Sequence, residues 1–252
     1  MNLLQGAVLG ILQGITEWIP ISSEGQTMLV MIGWLGLSPA DALSYSIFLH
    51  LGTMCAVIIK FRYEFLKMLM NFHSKMTRTV IISTIFTGIT GVPLYFLYKL
   101  SFSGGREATA LIGVLLMITG LLLRFKKSGF RDVEEMSPKD MALLGLVQGF
   151  SILPGVSRSG TTLTLLMMMQ IKQDAALTIS FIISVPAVLG ALIIDHSLPR
   201  LEPFLAAAIF SSSLLAGYLA MDLLIRFARW IDFSKFCLVM GLITLLFGVL
   251  FA

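Results

Sequence analysis

The chain has 252 residues, of which 57% are hydrophobic and only 13% are charged, and its formal net charge is +4. A soluble domain of this length carries about a quarter charged residues, so this balance indicates a protein that lies in lipid. Most basic residues flank apolar segments, as expected for charges that orient a membrane protein, and this placement argues against nucleic acid as a partner.

The first apolar region is broken in its middle. Its two arms, residues 3–19 and 26–37, flank the polar sequence PISSEGQ at residues 20–26. A helix that crosses a bilayer needs about 20 apolar residues, and the second arm is clearly shorter. Two short apolar arms joined by a polar elbow predict a re-entrant hairpin, which is stable at membrane depth where it faces protein or water.

Three apolar runs follow this hairpin, and the pattern then repeats. A second broken region has arms at 141–153 and 160–171 around the sequence PGVSRSG at 154–160, and three more runs follow it. The sequence therefore predicts an all-α membrane protein with two re-entrant hairpins and six spanning helices. The predicted spans are residues 44–59, 80–98, 108–123, 175–194, 204–225 and 236–252.

The two broken regions match each other at a constant offset without a gap. The matched pairs are Leu9 and Leu144, Gly10 and Gly145, Gln13 and Gln148, Gly14 and Gly149, Ser22 and Ser157, and Gly25 and Gly160. This pattern predicts an internal duplication within a single domain, 1–252, with halves of about 1–125 and 138–252. Because three spans separate the hairpins, the halves should have inverted topology, which places a site near the midplane where they meet.

The distribution of basic residues predicts the orientation. The loops 60–79, 124–140 and 226–235 carry thirteen Lys and Arg residues, and the alternate loops 99–107 and 195–203 carry three. Basic loops stay in the cytoplasm. Both termini should therefore face outside, with the first hairpin entering from the outer side and the second from the cytoplasm.

The second elbow has the features of an anion site. Arg158 in an apolar region costs about 2.5–3.5 kcal/mol at a helix centre, so it needs a partner or an anionic ligand. Glycines allow close backbone approach, and hydroxyl donors at a helix start favour phosphate. The predicted phosphate-binding residues of this elbow are Gly155, Ser157, Arg158, Ser159, Gly160, Thr161 and Thr162. The alternative is an Arg158 that extends to the membrane interface beside small packing residues.

The first elbow supplies the acidic groups. Gln13 and Glu17 share one helix face, and Ser22, Ser23 and Glu24 follow after Pro20. A carboxylate at membrane depth is neutral, paired with a cation or bound to a metal. Phosphoryl transfer needs cations, an in-line nucleophile and a group that moves protons, and Arg158, a metal on Glu17 and Glu24, and Ser22 or Ser23 suit these roles. The alternative is a Glu17 that only pairs with Arg158 to hold the halves together.

Together these two motifs resemble the undecaprenyl-diphosphatase family, also called the bacitracin-resistance family, and the likeness covers nearly the whole chain. The resemblance implies a membrane phosphatase for a polyprenyl diphosphate carrier lipid, with a divalent cation (Mg²⁺ or Ca²⁺) and an outward-facing site. It implies that Glu17 is the essential acidic residue, that Ser23 is the nucleophile or a ligand, and that Arg158 binds diphosphate beside Ser157. Gln13, Ser22 and Gly25 are the other substrate-binding positions that we predict in the first motif.

Two positions depart from the family pattern. Gln13 occupies a position that is often acidic, and Gln26 replaces a bacterial His that follows the first elbow. Gln26 cannot act as a base, so Glu24 or His50 is expected to take over its role. The alternative for His50, which lies in the middle of an apolar run, is a neutral side chain that only packs. The rival hypothesis for the whole chain is a membrane transporter or lipid-phosphate flippase, since inverted repeats with broken helices are common in transporters. The expected partners are the lipid and the membrane, and a homodimer is left open.

Overall fold

A computed structural model of the protein describes residues 1–101, 105–125, 129–195, 201–227 and 233–250. Within these ranges the chain is helical throughout, as the sequence predicts, with short 3-10 turns at Leu123–Phe125, Val133–Glu135 and Phe150–Ile152. The α-helices are α1 (Leu3–Thr16), α2 (Ser23–Gly33), α3 (Pro39–Lys60), α4 (Arg62–Met70), α5 (Lys75–Ser101), α6 (Gly105–Leu122), α7 (Pro138–Gly149), α8 (Arg158–Met168), α9 (Gln173–Ile194), α10 (Pro203–Phe227) and α11 (Phe233–Leu250).

Five helices of the described chain are long and apolar enough to cross a membrane. They are α3, α5, α6, α9 and α10, and each contains one of the predicted spans except for small shifts at its ends. The sixth predicted span, 236–252, falls on α11, whose described apolar stretch Ser234–Val249 is shorter than the others. A crossing by α11 therefore stays a prediction.

The two broken regions are each a pair of short helices. α1 and α2 flank the first elbow, and α7 and α8 flank the second. The predicted second arm of the first region begins at residue 26, but α2 begins at Ser23. The polar residues Ser23, Glu24 and Gly25 form its first turn because the Ser22 side chain accepts the Gly25 N–H and caps the helix.

The halves pack in a reciprocal way. α1 of the first half packs against α10 of the second, and α7 of the second packs against α5 of the first. Both contacts are made by glycines of the repeat. A Cβ on Gly14 would lie 2.6 Å from the backbone nitrogen of Gly217, and one on Gly149 would lie 2.8 Å from that of Gly91. Such close helix contacts need small residues.

The contact positions also give helix directions. Along α1, Gly6 meets Leu205 and Gly14 meets Gly217, so α1 runs parallel to α10. Along α7, Gly145 meets Ser83 and Gly149 meets Gly91, so α7 runs parallel to α5.

α6 and α11 pack in the opposite sense. Gly113 meets Gly241 and Leu245, and Gly120 meets Ser234 and Leu238, so contact positions fall along α11 as they rise along α6. These two helices are therefore antiparallel.

Candidate active site at the two elbows

Both elbows end in the same helix cap. Ser22 accepts the Gly25 N–H at 3.2 Å to start α2, and Ser157 accepts the Gly160 N–H at 3.1 Å to start α8. These are the positions that the repeat aligns. Ser22 has φ of 59°, in the left-handed region, and its hydroxyl also accepts the Gly155 N–H of the other elbow at 3.1 Å. The elbows are thus bonded directly to each other.

Glycines let the two elbows touch. A Cβ on Gly25 would lie 3.1 Å from the Gly155 nitrogen, and one on Gly160 would lie 3.2 Å from the Pro20 Cβ. At the repeat offset, Gly155 is the counterpart of Pro20, so the two contacts are equivalent. Gly155 itself has φ of 103°, a conformation that favours glycine. This crossing brings the starts of α2 and α8 together in the interior of the protein.

Glu17 is the centre of a buried polar cluster at this crossing. Its Oε2 accepts hydrogen bonds from Gln13 Nε2 at 2.9 Å and from the Ser23 hydroxyl at 2.6 Å. Its Oε1 accepts from Nη2 of Arg158. The side chain is 6% exposed, so a bare carboxylate here would be costly, and these donors stabilise its charge.

Arg158 reaches across from the second elbow. One guanidinium nitrogen is paired with Glu17, and Nη1 donates to the Ser180 carbonyl of α9 at 3.2 Å. The side chain is 14% exposed and is held by these two partners in the interior of the protein. Removal of one partner from such a buried pair typically costs about 3–5 kcal/mol, so the pair joins the halves whatever its chemical role.

His50 of α3 completes the cluster. Its Nε2 lies 3.3 Å from Glu17 Oε2, and its Nδ1 lies 2.7 Å from the Ser46 carbonyl. A carbonyl only accepts, so Nδ1 carries a proton, and a bond from Nε2 to the carboxylate then requires the imidazolium form. His50 thus approaches the first elbow, as expected. The side-chain amide of Gln26 instead donates to the Ile21 carbonyl at 3.3 Å.

Glu24 lies on the same side of the crossing but makes different contacts. It is 8% exposed, and its Oε1 is buried without a hydrogen-bond partner. In the described part of the chain, no group of three or more His, Cys, Asp and Glu residues is placed to hold a metal ion. Glu17 is also engaged at both oxygens. Glu24 Oε1, by contrast, is an oxygen that remains available to a ligand.

A cavity of about 260 Å³ opens onto this cluster. Of the predicted site residues, Glu17, Ser22, Ser23, Glu24, Ser157, Arg158 and Ser159 line it. The others lie around it. Gln13 stands behind Glu17, the glycines Gly25, Gly155 and Gly160 form the crossing, and the hydroxyls of Thr161 and Thr162 donate to the Arg158 carbonyl of their own helix.

The cavity also has polar lining residues that the sequence did not single out as site residues. Gln148 donates to the Thr87 hydroxyl at 3.0 Å and to the Ile183 carbonyl at 3.3 Å, and its Oε1 is buried without a hydrogen-bond partner. Gln148 is the repeat counterpart of Gln13, whose Oε1 is also buried and without a hydrogen-bond partner. The offset of the repeat was the signal that could have identified it.

Known proteins resemble this chain over almost its full length. A family model described as bacitracin resistance protein BacA matches residues 6–246. An undecaprenyl-diphosphatase of Methanothrix thermoacetophila is 61% identical over 97% of this chain and 96% of its own length. Proteins of the same name from Methanopyrus kandleri and Haloarcula marismortui are 35% and 36% identical, each over at least 96% of both chains.

Proposed function

The chain belongs to the bacitracin resistance protein family, and from this premise we propose that it hydrolyses undecaprenyl diphosphate to the monophosphate and inorganic phosphate, which recycles the carrier lipid. It is a multi-pass membrane protein and a hydrolase. The observation that carries the proposal is the contact of Glu17, Ser23 and Arg158 at one end of a cavity in the protein interior. An acid–base group, a hydroxyl nucleophile and a phosphate-binding cation thereby meet at one point.

The diphosphate binds where the two helix starts converge. The N-terminal turns of α2 and α8 present backbone N–H groups and positive dipole ends, which favour phosphate oxygens. Arg158 has a planar fork that suits bidentate contact with phosphate, and Ser157 and Ser159 line the cavity beside it. The anion competes with Glu17 for the guanidinium, so binding of substrate loosens the ion pair that links the elbows.

Ser23 is the nucleophile in this scheme. Its hydroxyl donates to Glu17 Oε2 at 2.6 Å, which is the contact between nucleophile and base that covalent catalysis requires. The Ser23 oxygen attacks the terminal phosphorus, its proton passes to Glu17, and the bond to the bridging oxygen breaks so that the lipid monophosphate leaves. Water then cleaves the phosphoserine and releases inorganic phosphate. Arg158 and the His50 imidazolium stabilise the charge that develops on the phosphoryl oxygens.

A divalent cation, Mg²⁺ or Ca²⁺, is held by Glu24 in this proposal. Such ions often bind proteins through one or two carboxylates and complete their coordination with substrate phosphates and water. The free Oε1 of Glu24 on the cavity wall supports this arrangement, and the four contacts of Glu17 argue against Glu17 as the main ligand. The ion would neutralise charge on the diphosphate.

A Glu24→Gln variant should need a higher divalent-ion concentration for half-maximal phosphate release, with Glu107→Gln as an exposed control. An unchanged ion requirement would argue against this assignment.

The helix directions support an inverted repeat. The α5–α6 link at 102–104 and the α10–α11 link at 228–232 reach at most about 3.6 Å per residue, too short to cross a core of about 30 Å. Each link therefore joins helices of opposite direction. Since α6 and α11 are antiparallel, α5 and α10 are too. α1 runs parallel to α10, and α7 runs parallel to α5. α1 and α7 therefore point in opposite directions, so the two hairpins enter from opposite sides.

The basic loops then orient this arrangement with both termini and the opening of the site on the outer face. Labelling of Lys75→Cys, in a background without Cys55 and Cys237, distinguishes the sides. A membrane-impermeant maleimide should not label it in intact cells. Labelling from outside would invert the proposed orientation.

One assay tests the activity directly. Purified protein in detergent, given undecaprenyl diphosphate and a divalent ion, should release one phosphate per lipid, and chelation of the ion should suppress the release. The transport alternative predicts movement of lipid phosphate across proteoliposomes without hydrolysis. The homodimer stays a prediction.

A further inference from the structure

Gln148 of α7 is a buried side chain on the cavity wall that takes no part in the chemistry described so far. It is 1% exposed and lines the cavity. Its Nε2 donates to the Thr87 hydroxyl at 3.0 Å and to the Ile183 carbonyl at 3.3 Å, whereas its Oε1 is buried and has no hydrogen-bond partner among the described residues. A buried acceptor left unpaired costs about 1–3 kcal/mol, so a ligand that supplies a donor is expected there.

The two protein partners of Gln148 fix the orientation of its amide. A carbonyl only accepts, so the NH₂ group must face Ile183. The Thr87 hydroxyl donates to the Ser83 carbonyl at 2.7 Å, so its oxygen is left to accept from the same NH₂ group. Exchange of the amide nitrogen and oxygen would lose both bonds. The side chain therefore offers an acceptor, and no donor, to a ligand.

The hydroxyl groups on this side of the cavity have the same character. Thr84, Ser151 and Ser184 line the cavity, and each donates at 2.6–2.7 Å to a backbone carbonyl three or four residues before it. A hydroxyl has one hydrogen, so each of these oxygens is left as an acceptor. The elbows have the opposite character, because Arg158 and the starts of α2 and α8 present donors. One end of the cavity donates hydrogen bonds and the wall around Gln148 accepts them.

The Gln148 amide is anchored close to the arginine that suits phosphate. Arg158 Nη1 donates to the Ser180 carbonyl at 3.2 Å, and the Gln148 amide donates to the Ile183 carbonyl. These carbonyls are three residues apart on α9, which is about 4.5 Å along the helix axis. A phosphoryl group held by the guanidinium therefore extends toward the Gln148 amide.

We propose that Gln148 is a further substrate-binding residue, whose Oε1 accepts a hydrogen bond from a protonated oxygen of the terminal phosphoryl group. This inference rests on the proposed function. The last proton of a phosphate monoester has a pKa of about 6, so a protonated phosphoryl oxygen is accessible near neutral pH. An unprotonated oxygen would set its lone pairs against an acceptor, whereas a P–O–H group pairs with it. The retained proton also removes one negative charge, which lowers the cost of burying the phosphoryl group.

Phosphate and sulfate distinguish this acceptor from a general anion site. The two ions have the same shape, but near neutral pH phosphate keeps at least one P–O–H group and sulfate has no hydrogen. A site built to pair with a hydroxyl rejects the analogue that lacks it. Wild-type protein in detergent, without added divalent ions, should bind inorganic phosphate at least about 10-fold more tightly than sulfate. Saturable stabilisation against thermal unfolding at constant ionic strength measures both affinities. Equal affinities would overturn the proposal.

Substitution of Gln148 assigns the preference to the amide. Gln148→Met keeps the length of the side chain but removes the amide oxygen, so phosphate and sulfate should bind within about 2-fold of each other. Gln148→Leu provides the same comparison if the methionine variant does not fold. Gln173→Met, exposed at the start of α9, is the matched control and should keep the wild-type preference. A preference for phosphate that persists in the Gln148 variants would contradict the assignment.

Turnover is measured separately from anion binding. Gln148→Met should lower kcat/KM for undecaprenyl diphosphate at least about 10-fold. A lost preference for phosphate with unchanged kcat/KM would contradict a contact with the substrate. A water bound to Oε1 in place of the phosphoryl group predicts equal binding of the two anions by wild-type protein. Wild-type protein that prefers phosphate but releases none from undecaprenyl diphosphate would instead refute the hydrolase alone.

Discussion

The first elbow, residues 20–26, and the second, residues 154–160, have the same type of helix cap and different chemistry, and the capping serine has φ of 59° in the first and −70° in the second. Both are capped by a serine that accepts a glycine N–H, and both put a glycine at the point of crossing. The reactive positions differ. Glu17 corresponds to Ile152, Ser23 to Arg158, and Glu24 to Ser159. The matched offset thus places the same capping residues at both elbows, and each elbow region contributes a part of the site that the other lacks. A half on its own would hold either an acid without its cation or a cation without its acid.

Removal of the charge at Glu17 is expected to have the largest effect. Glu17→Gln keeps the shape and can still accept from Arg158, but it cannot take the proton of Ser23. Phosphate release should fall below about one thousandth of the wild-type rate, which is roughly 4 kcal/mol. Phosphate release is measured with undecaprenyl diphosphate across a divalent-ion titration, and gel filtration of the purified variant checks the fold. Glu107→Gln, on the exposed first turn of α6, is the control. Wild-type turnover in Glu17→Gln, with a dead Glu24→Gln, would transfer the role to Glu24.

Ser23→Ala separates the two routes of attack. With Ser23 as the nucleophile, its removal should abolish phosphate release, because no other hydroxyl contacts Glu17 among the described residues. Attack by water predicts a partial loss only, of about 10- to 100-fold, since one stabilising hydrogen bond disappears. The measurement is single-turnover phosphate release together with a search for phosphoserine by mass spectrometry. Ser211→Ala, exposed on α10, serves as the control.

Arg158→Lys tests the contribution of the second elbow. Lysine keeps the charge but loses the planar fork that now contacts Glu17 and the Ser180 carbonyl. We expect kcat/KM to fall at least about 100-fold, or roughly 2.7 kcal/mol. Arg62→Lys on the exposed α4 is a matched control. Near-normal kinetics would mean that Arg158 only holds the halves together.

The sequence predicted the fold well where the chemistry is local or periodic. Apolar length predicted the five long apolar helices of the described chain, and the polar elbows marked where each broken region divides into two short helices. Side-chain contacts between distant segments could not be predicted in the same way. His50 looked equally suited to packing, and only the fold shows that α3 brings it to within 3.3 Å of Glu17.

The sequence predicted the residues near the site better than it predicted their individual contacts. Thr161 and Thr162 looked like phosphate donors, but a hydroxyl in a helix readily donates to a carbonyl of the preceding turn, and both do so. The sequence did not predict the short helix α4, which lies within the basic segment predicted as a loop. Its nine residues are too few for a clear periodic pattern of apolar residues.

The smallest expected effect is the loss of stability when a helix-capping serine is replaced. Ser22 and Ser157 are the two caps, and they occupy matching positions at the repeat offset. Replacement of a helix-capping serine by alanine typically costs about 1 kcal/mol. Ser22 accepts two backbone N–H groups, from Gly25 and Gly155, and Ser157 accepts one, from Gly160. Ser22→Ala should therefore lower the free energy of unfolding by about 2 kcal/mol and Ser157→Ala by about 1 kcal/mol, because each buried donor left unpaired adds its own cost. Thermal unfolding in one detergent measures the difference, with Ser211→Ala as the reference. Equal losses in the two variants would mean that the Ser22 bond to Gly155 contributes nothing, and that the elbows are held together by the Glu17–Arg158 pair and the glycine contacts alone.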